Sequence, residues 1–600
     1  MTNFSHIVKL IKSWWRVLII CLTPLILLPI PLVIQTIQAR CAYIVLLLTV
    51  YWVSEAIPYA VTSLLPLAFF PLAGILTGDV VGLNYFKDIT TMFVGIMILA
   101  YAMEHVGLHR RLALLVLRYV GSSVIWSMAG LMFVTAFLSM WINNSASANI
   151  MIPTAVAIVD ELQNYEKSTK KTNSTTGNDN YQSVTDDIVE SKSDLNEQST
   201  GNSFVLDKIV VVSNSLSLGT TSHSNQTKNI VQTSSTDQAN YEQVKIGFLI
   251  AVAFSVAIGG MMTLVGTGPN IFVKGFADQY YSSGSIILQI SFANFLLWGL
   301  PIGTIMLVLC WLWLQIVYNR KGLFRCKRSN ANETESRKDL QTLLKQQYKD
   351  LGPVSWQEGT VSVLFVIVVL LWITRDFSSV RGWDALFRPN YVTDGTTAIL
   401  IGCIPLIFPN KNPFHNDWEY HPILTWDLLS KSFPWGVFML QGAGLAIAQA
   451  FQVSDLSSTI AASLHFIVGA PQTAIIFFVI LISAIFTEFT SNLAVATILF
   501  PILDSIARTA NMHPAYLILP CCMSVSLAFM LPIATPPNAM IFVSGNMKTK
   551  DLIKAGIGAK IIGILVIFFA SIVLLSPIFH IHALTTNLSN STLIGNITSG

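Results

Sequence analysis

The sequence predicts an all-α, polytopic membrane protein, and three observations carry that prediction. Of the 600 residues 53% are hydrophobic and only 11% are charged, with a mean hydropathy of +0.61, which is not the composition of a soluble domain. Apolar stretches of roughly 17–25 residues, the length that crosses about 30 Å of hydrocarbon, recur along most of the chain. Clear cases are Val17–Ile34, Val244–Leu264, Phe292–Ile316, Thr360–Thr374 and Ile557–Phe579. Finally, each half of the chain contains an apolar run broken by an Asn-centred polar knot, which points to inverted repeats. The expected architecture is about eleven transmembrane helices plus two re-entrant hairpins.

Lys9, Lys12 and Arg16 precede the first span and place the N-terminus in the cytoplasm. The first apolar run is too long for a cleavable leader and continues into further spans. Residues 1–160 form the first part of repeat one. Residues 161–243 are rich in Ser, Thr, Asn and Asp ("KKTNSTTGNDNYQS") and read as a disordered insertion. Residues 244–318 complete repeat one. Residues 319–357 carry Arg320, Lys321, Arg325, Lys327, Arg328, Arg337 and Lys338, and read as a cytoplasmic loop. Repeat two spans 358–580. The tail, 581–600, holds three acceptor sequons at Asn587, Asn590 and Asn596, and its glycosylation would make it extracellular. Further sequons at Asn173, Asn225 and Asn332 fall in loops read as cytoplasmic, where chance matches are expected.

The net charge of +3 is spread over loops, with no basic stripe for nucleic acid. The seven cysteines lie mostly in or beside apolar segments without CxxC or zinc spacing, and read as small core residues. The ten histidines show no HExxH or other ligand spacing. No catalytic dyad, Walker motif or metalloprotease helix is evident, so an enzyme is not expected. A channel is disfavoured by the lack of a selectivity-filter repeat.

The repeat is specific in its polar positions. "FLSMWINNSASANIMIP" (Phe137–Pro153) has the design of "IFTEFTSNLAVATILFP" (Ile485–Pro501), and each is followed by a second break, "LVGTGPNIF" (Leu264–Phe272) and "PIATPPNAMIF" (Pro532–Phe542). Asn144 and Asn270 are 126 positions apart, Asn492 and Asn538 46 apart. Removing the polar insertion brings the two spacings into agreement. Segments Thr90–Glu104 and Pro434–Gln449 precede the two units; being apolar, Gly-containing and bracketed by breakers, they read as the re-entrant hairpins.

Broken helices expose N–H groups at one end and carbonyls at the other, and such backbone is tolerated at membrane depth where it lines a cavity or is buried in protein. None of the four breaks contains Arg or Lys, and the nearest is Lys274. Donors are plentiful: Asn143, Asn144, Ser145, Thr267, Ser491, Asn492 and Thr535. An anion held by neutral donors alone is costly to desolvate, so bound cations are expected to supply the positive charge. Oxygen ligands suit a hard ion such as Na+. Glu55, Glu104 and Glu488 are intramembrane or near-interface acids; Glu488 reads either as a functional acid or as a carboxylate pinned by backbone amides.

At these residues the chain resembles solute carrier family 13, the sodium-coupled di- and tricarboxylate and sulfate cotransporters of the divalent anion–sodium symporter superfamily. The likeness rests on "NNS", "SNL", "TLVGTGPN" and "PIATPPNAMIF", with "MEHVGLHRRLAL" and "HPAYLILPCCMSVSLAFMLPIATPPNAM", and covers nearly the whole chain except the polar loops and the tail. It implies a homodimer in the plasma membrane, with a dimerising scaffold domain and a transport domain that slides like an elevator. It also implies one Na+ site per repeat and no other cofactor. Carried over, the first site uses Ser139, Asn143, Asn144 and Gly266, and the second Thr487, Thr490, Asn492 and Ala534. The substrate carboxylates would contact Asn144, Ser145, Thr267, Asn492, Leu493, Thr535 and Pro536.

Three positions depart from the family pattern. Asn143 replaces the usual Ser and either ligates Na+ through its carbonyl or crowds the site, leaving transport sodium-independent. Leu493 narrows the pocket toward a slim dicarboxylate such as succinate rather than citrate. Gln441 is a polar insertion in the Gly-rich tip "LQGAGLA". The resulting reading is a sodium-coupled symporter of di- or tricarboxylates. A sodium-independent exchanger and a sodium–sulfate cotransporter are its alternatives.

Overall fold

The computed structural model describes residues 2–117, 124–175, 226–282, 286–319, 346, 348–375, 382–388, 391–414, 418–456, 459–460 and 469–581. Among these, every regular element is helical apart from an isolated antiparallel bridge between Pro409 and Pro422. The helices of eight residues or more are α1 (Thr2–Leu27), α2 (Ile37–Ser54), α3 (Gly78–Tyr85), α4 (Asp88–His105), α5 (Leu108–Leu117), α6 (Val124–Ser139), α7 (Asn144–Thr175), α8 (Gln226–Met262) and α9 (Gly268–Tyr280). They continue with α10 (Phe292–Tyr318), α11 (Trp356–Arg375), α12 (Asp394–Gly402), α13 (Trp435–Val453), α14 (Gln472–Phe486), α15 (Asn492–Thr509), α16 (Ala515–Ser524), α17 (Pro536–Ser544) and α18 (Thr549–Val573).

Nine of the described helical segments are long and apolar enough to cross a membrane. Their outer faces are as apolar as their inner ones. In α10, Phe295, Trp298, Ile302, Met306 and Cys310 are buried, while Leu300, Ile305, Val308, Leu312 and Ile316 are exposed, a pattern that suits lipid on one side and protein on the other. The shorter apolar helices matter for the site. With 16 and 15 residues, α6 and α14 are about 24 and 22 Å long, short of the roughly 30 Å hydrocarbon core. Each therefore stops at its polar break inside the bilayer depth.

The chain divides into two compact units, Met1–Leu162 with Gln243–Gly600, and Gln163–Glu242. The second unit contains the end of α7, as far as Thr175, and the start of α8, from Gln226. The expected disordered insertion is thus helical at both margins, because the flanking helices propagate into it. The rest of it, most of the basic loop 319–357 and the tail sequons Asn587, Asn590 and Asn596 lie outside the described residues.

The two segments expected as re-entrant hairpins are single unbroken helices, α4 and α13. Their glycines permit close packing and do not reverse the chain. A Cβ at Gly95 would stand 2.3 Å from the Ala398 carbonyl carbon, and one at Gly402 2.5 Å from Gly95 O, so α4 and α12 pack backbone to backbone. A Cβ at Gly442 would stand 2.4 Å from Tyr85 Cδ1, and one at Gly444 2.7 Å from Phe272 Cε2. Gln441 is accordingly a buried mid-helix residue and not a hairpin tip.

Candidate functional site

The first break is built by the end of α6 and the start of α7. Ser139, the last residue of α6, is fully buried, with Oγ 2.8 Å from Asn144 Oδ1 and 2.7 Å from Val256 O of α8. A hydroxyl has one proton to donate, so three oxygens share it. Such a set is suited to a hard cation. Asn143 caps α7: its Oδ1 accepts from Ser145 N at 3.0 Å and its backbone oxygen from Ser147 N at 3.0 Å. The side-chain oxygen expected to ligate a cation thus also serves the helix start, with one of its two lone pairs.

The second break of the same half follows α8. Asn270 of α9 folds back, donating from Nδ2 to Gly260 O at 3.2 Å and Thr263 O at 2.7 Å, which satisfies carbonyls left open where α8 ends. Gly260 and Gly266 allow the approach. A Cβ at Gly266 would lie 2.3 Å from Gly260 O, and one at Gly260 would lie 2.7 Å from both Asn144 Oδ1 and Thr267 Cγ2. Asn144 and Thr267 are thereby brought together around Gly260. The Thr267 Oγ1 is buried without a hydrogen-bond partner.

The second half repeats this geometry. Thr487 Oγ1 stands 2.8 Å from Asn492 Oδ1 and also hydrogen-bonds Val525 O. Ser491 caps α15 by accepting from Ala494 N at 3.2 Å, as Asn143 caps α7. Asn538 Nδ2 donates to Ala528 O at 2.9 Å and Leu531 O at 3.1 Å, the same ten- and seven-residue reach as Asn270. Thr267 and Thr535 precede α9 and α17 with nearly the same backbone, φ −142 ψ 156 and φ −144 ψ 150. The spacing of the paired asparagines, 126 against 46 positions, differs by the length of the separate unit Gln163–Glu242.

The two halves meet at their breaks. A Cβ on Gly268 would stand 3.2 Å from Leu493 Cδ2, and Cys522 Sγ lies 3.4 Å from Asn270 Oδ1. Asn144, Ser145, Thr267, Asn492 and Thr535 are half-buried and Pro536 is exposed, whereas Gly266, Leu493 and Ala534 are buried. The helices α7, α9, α15 and α17 all start here, with no acidic residue in any first turn. The N–H groups that caps and the opening prolines of α9 and α17 leave available, with the helix dipoles, favour an anion. The nearby cations are already engaged. Lys274 Nζ lies 3.1 Å from Asp278 Oδ2, 3.6 Å from Asp394 Oδ2 and 3.0 Å from Ile290 O, and Asp394 is also 2.9 Å from Arg375 Nε.

Two predicted residues have partners outside the two oxygen sets. Thr490 Oγ1 donates to Trp52 O of α2 at 3.2 Å, outside the Thr487–Asn492–Val525 oxygen set. Glu488 is the amide-pinned carboxylate: it accepts from Phe529 N, Met530 N and Leu531 N at 3.0–3.2 Å and pairs with Lys560 Nζ at 2.5 Å. Glu55 and Glu104 are exposed. Sequence reasoning missed Val256 O and Val525 O, because a carbonyl contribution carries no side-chain signature. It also missed Lys560, although a lysine inside the last apolar span signals a buried partner.

Comparison with known proteins gives the family. The model of the sodium:sulfate symporter transmembrane region matches residues 11–580. Solute carrier family 13 member 2 of Oryctolagus cuniculus is 36% identical over 583 residues, 94% of each chain. Solute carrier family 13 member 1 of Rattus norvegicus is 33% identical over 584 residues, 94% of this chain and 96% of its own. Na(+)/dicarboxylate cotransporter 3 of Homo sapiens is 32% identical over 584 residues, 95% of this chain and 93% of its own. Matched from near its first residue to the end of its last described helix, this chain belongs to the sodium:sulfate symporter family, solute carrier family 13.

Proposed function

We propose that the chain is a sodium-coupled symporter of C4 dicarboxylates such as succinate, with citrate as the tricarboxylate alternative, in the plasma membrane. The observation that carries this reading is the duplicated oxygen set, Ser139–Asn144–Val256 and Thr487–Asn492–Val525, beside four helix starts whose nearest lysine is already paired. Two Na+ ions, one per set, would supply the charge that lets neutral donors hold a dianion. Asn144, Ser145 and Thr267 on one side and Asn492, Leu493, Thr535 and Pro536 on the other would contact the substrate, with Gly266 and Ala534 offering backbone carbonyls to the ions. The Asn143 carboxamide is held at the helix start by Ser145 N and keeps a lone pair for an ion, which supports sodium coupling over sodium-independent exchange. Leu493 against Gly268 favours a slim substrate over a bulky one.

The accompanying reading is a homodimer whose break-bearing domain moves as an elevator, with a cytoplasmic N-terminus and an extracellular, glycosylated C-terminus. Alternating access binds ion and anion at one site and releases both on the far side without chemical conversion. A sulfate substrate is the second reading, supported by the family's own description. Uptake of labelled succinate, in sodium or choline, tests the proposal. Uptake that collapses in choline and carries inward current is expected. Uptake that persists in choline and is stimulated by internal dicarboxylate would mean an exchanger, and sodium-driven sulfate uptake without succinate uptake would overturn the dicarboxylate reading.

A further inference from the structure

We infer that Gln441 is a specificity-determining residue of the site, reading a hydroxyl group on a C4 dicarboxylate; this rests on the dicarboxylate reading above. Gln441 is fully buried in the middle of α13, and both ends of its carboxamide, Oε1 and Nε2, lack a hydrogen-bond partner among the described residues. An unpaired buried amide is disfavoured in a folded protein unless something outside the chain pairs with it.

The next turn of α13 locates that amide. A Cβ at Gly444 would stand 2.7 Å from Phe272 Cε2 and 2.9 Å from Thr497 Cγ2. Phe272 and Thr497 each lie about one helical turn past Gly268 and Leu493, the residues that meet where the two halves join. At the far ends, Cys41 hydrogen-bonds Ser454, the residue after α13, and also lies near Tyr280, the last residue of α9, so α9 and α13 run in the same sense. Stepping back one turn on α13, from Gly444 to Gln441, therefore steps back along α9 toward Gly268. Residues three apart share a helix face, which turns Gln441 toward the starts of α9 and α15. The same end of α9 holds Thr267, whose buried Oγ1 is also unpartnered.

The chemistry of these three atoms selects the ligand. A carboxylate only accepts, so it takes the Gln441 N–H and the Thr267 O–H but leaves Oε1 unpaired. A hydroxyl adjacent to that carboxylate supplies the missing donor. The substrate class that satisfies all three is a 2-hydroxy C4 dicarboxylate.

The test compares labelled malate and succinate uptake by the full chain in cells, for wild type, Gln441→Leu and Gln441→Met at matched surface amount. The methionine variant keeps the side-chain length and carries the test where leucine fails to reach the surface. Wild type is expected to favour malate by about tenfold in uptake efficiency, the scale of one hydrogen bond. In the variants the ratio should fall to about one, malate uptake losing about tenfold more than succinate uptake, which loses only the bond from the Gln441 N–H, with the sodium dependence of both unchanged. An unchanged ratio in an active variant overturns the inference. So does an equal fall for both substrates, or a change confined to half-saturating sodium, which would assign the amide to the ion. A wild type that takes up neither acid overturns the dicarboxylate reading and this inference with it.

Discussion

Replacing Lys560 by methionine tests how the second break is held. Its Nζ lies 2.5 Å from Glu488 Oε1 and 2.6 Å from Ala484 O, with the two side chains only 9% and 5% exposed. Methionine keeps the length of the side chain, so packing changes little and the charge is what is lost. Glu488 would then keep its three backbone amides but no countercharge. Breaking a buried pair from one side costs about 3–5 kcal/mol. Adding Glu488→Gln removes the stranded charge while leaving one side-chain oxygen for the amides, and should recover about 2 kcal/mol of that loss. The assay is the thermal midpoint of the purified chain in detergent, read as loss of the monodisperse species, with half-saturating sodium measured on the same variants. The expected order is wild type, then the double variant, then Lys560→Met. A double variant less stable than Lys560→Met would refute the reasoning, because the amides and not the lysine would then be what the carboxylate needs. The first break provides an internal comparison: there Thr263 Oγ1 donates to Met140 O at 2.5 Å, and no charge is involved.

Ser139→Ala and Thr487→Val each remove one oxygen from a proposed cation set, and each should raise half-saturating sodium by about tenfold. Succinate affinity at saturating sodium should change little, as a sodium titration of uptake would show. Gly402→Ala should lower the thermal midpoint, because its Cβ would stand 2.5 Å from Gly95 O and overpacking costs about 1–3 kcal/mol. Removing Gln163–Glu242 and joining α7 to α8 through a turn like residues 510–514, which link α15 to α16, should leave sodium-driven uptake intact. Loss of uptake at normal surface amount would show that the inserted unit takes part in transport.

Much of this protein was determined by sequence alone. Length and composition of the apolar runs are local properties, and in a bilayer they decide the fold class because backbone polar groups must be satisfied within helices. The duplicated Asn-centred knots were legible for the same reason: polar residues are rare at that depth, so their pattern stands out. The closely matching spacing of Asn144–Asn270 and Asn492–Asn538, once the insertion is set aside, already indicated two copies of one design. Local sequence could not say what each polar atom would meet. Asn143 and Ser491 are both short polar residues before a helix, and only the folded chain shows them spent on capping, with Ser139 and Thr487 facing the asparagine oxygens instead. Gly-rich α4 and α13 look like interrupted segments in one dimension, because a glycine that lets two helices touch and a glycine that breaks one are the same letter. Tertiary contact separates them, through the 2.3 Å that a Gly95 Cβ would leave to Ala398. It also gave Glu488 its lysine, Thr490 its bond to Trp52, and Gln441 no hydrogen-bond partner among the described residues. Hydropathy is carried by each residue wherever it sits, whereas pairing belongs to two residues that the fold must first bring together.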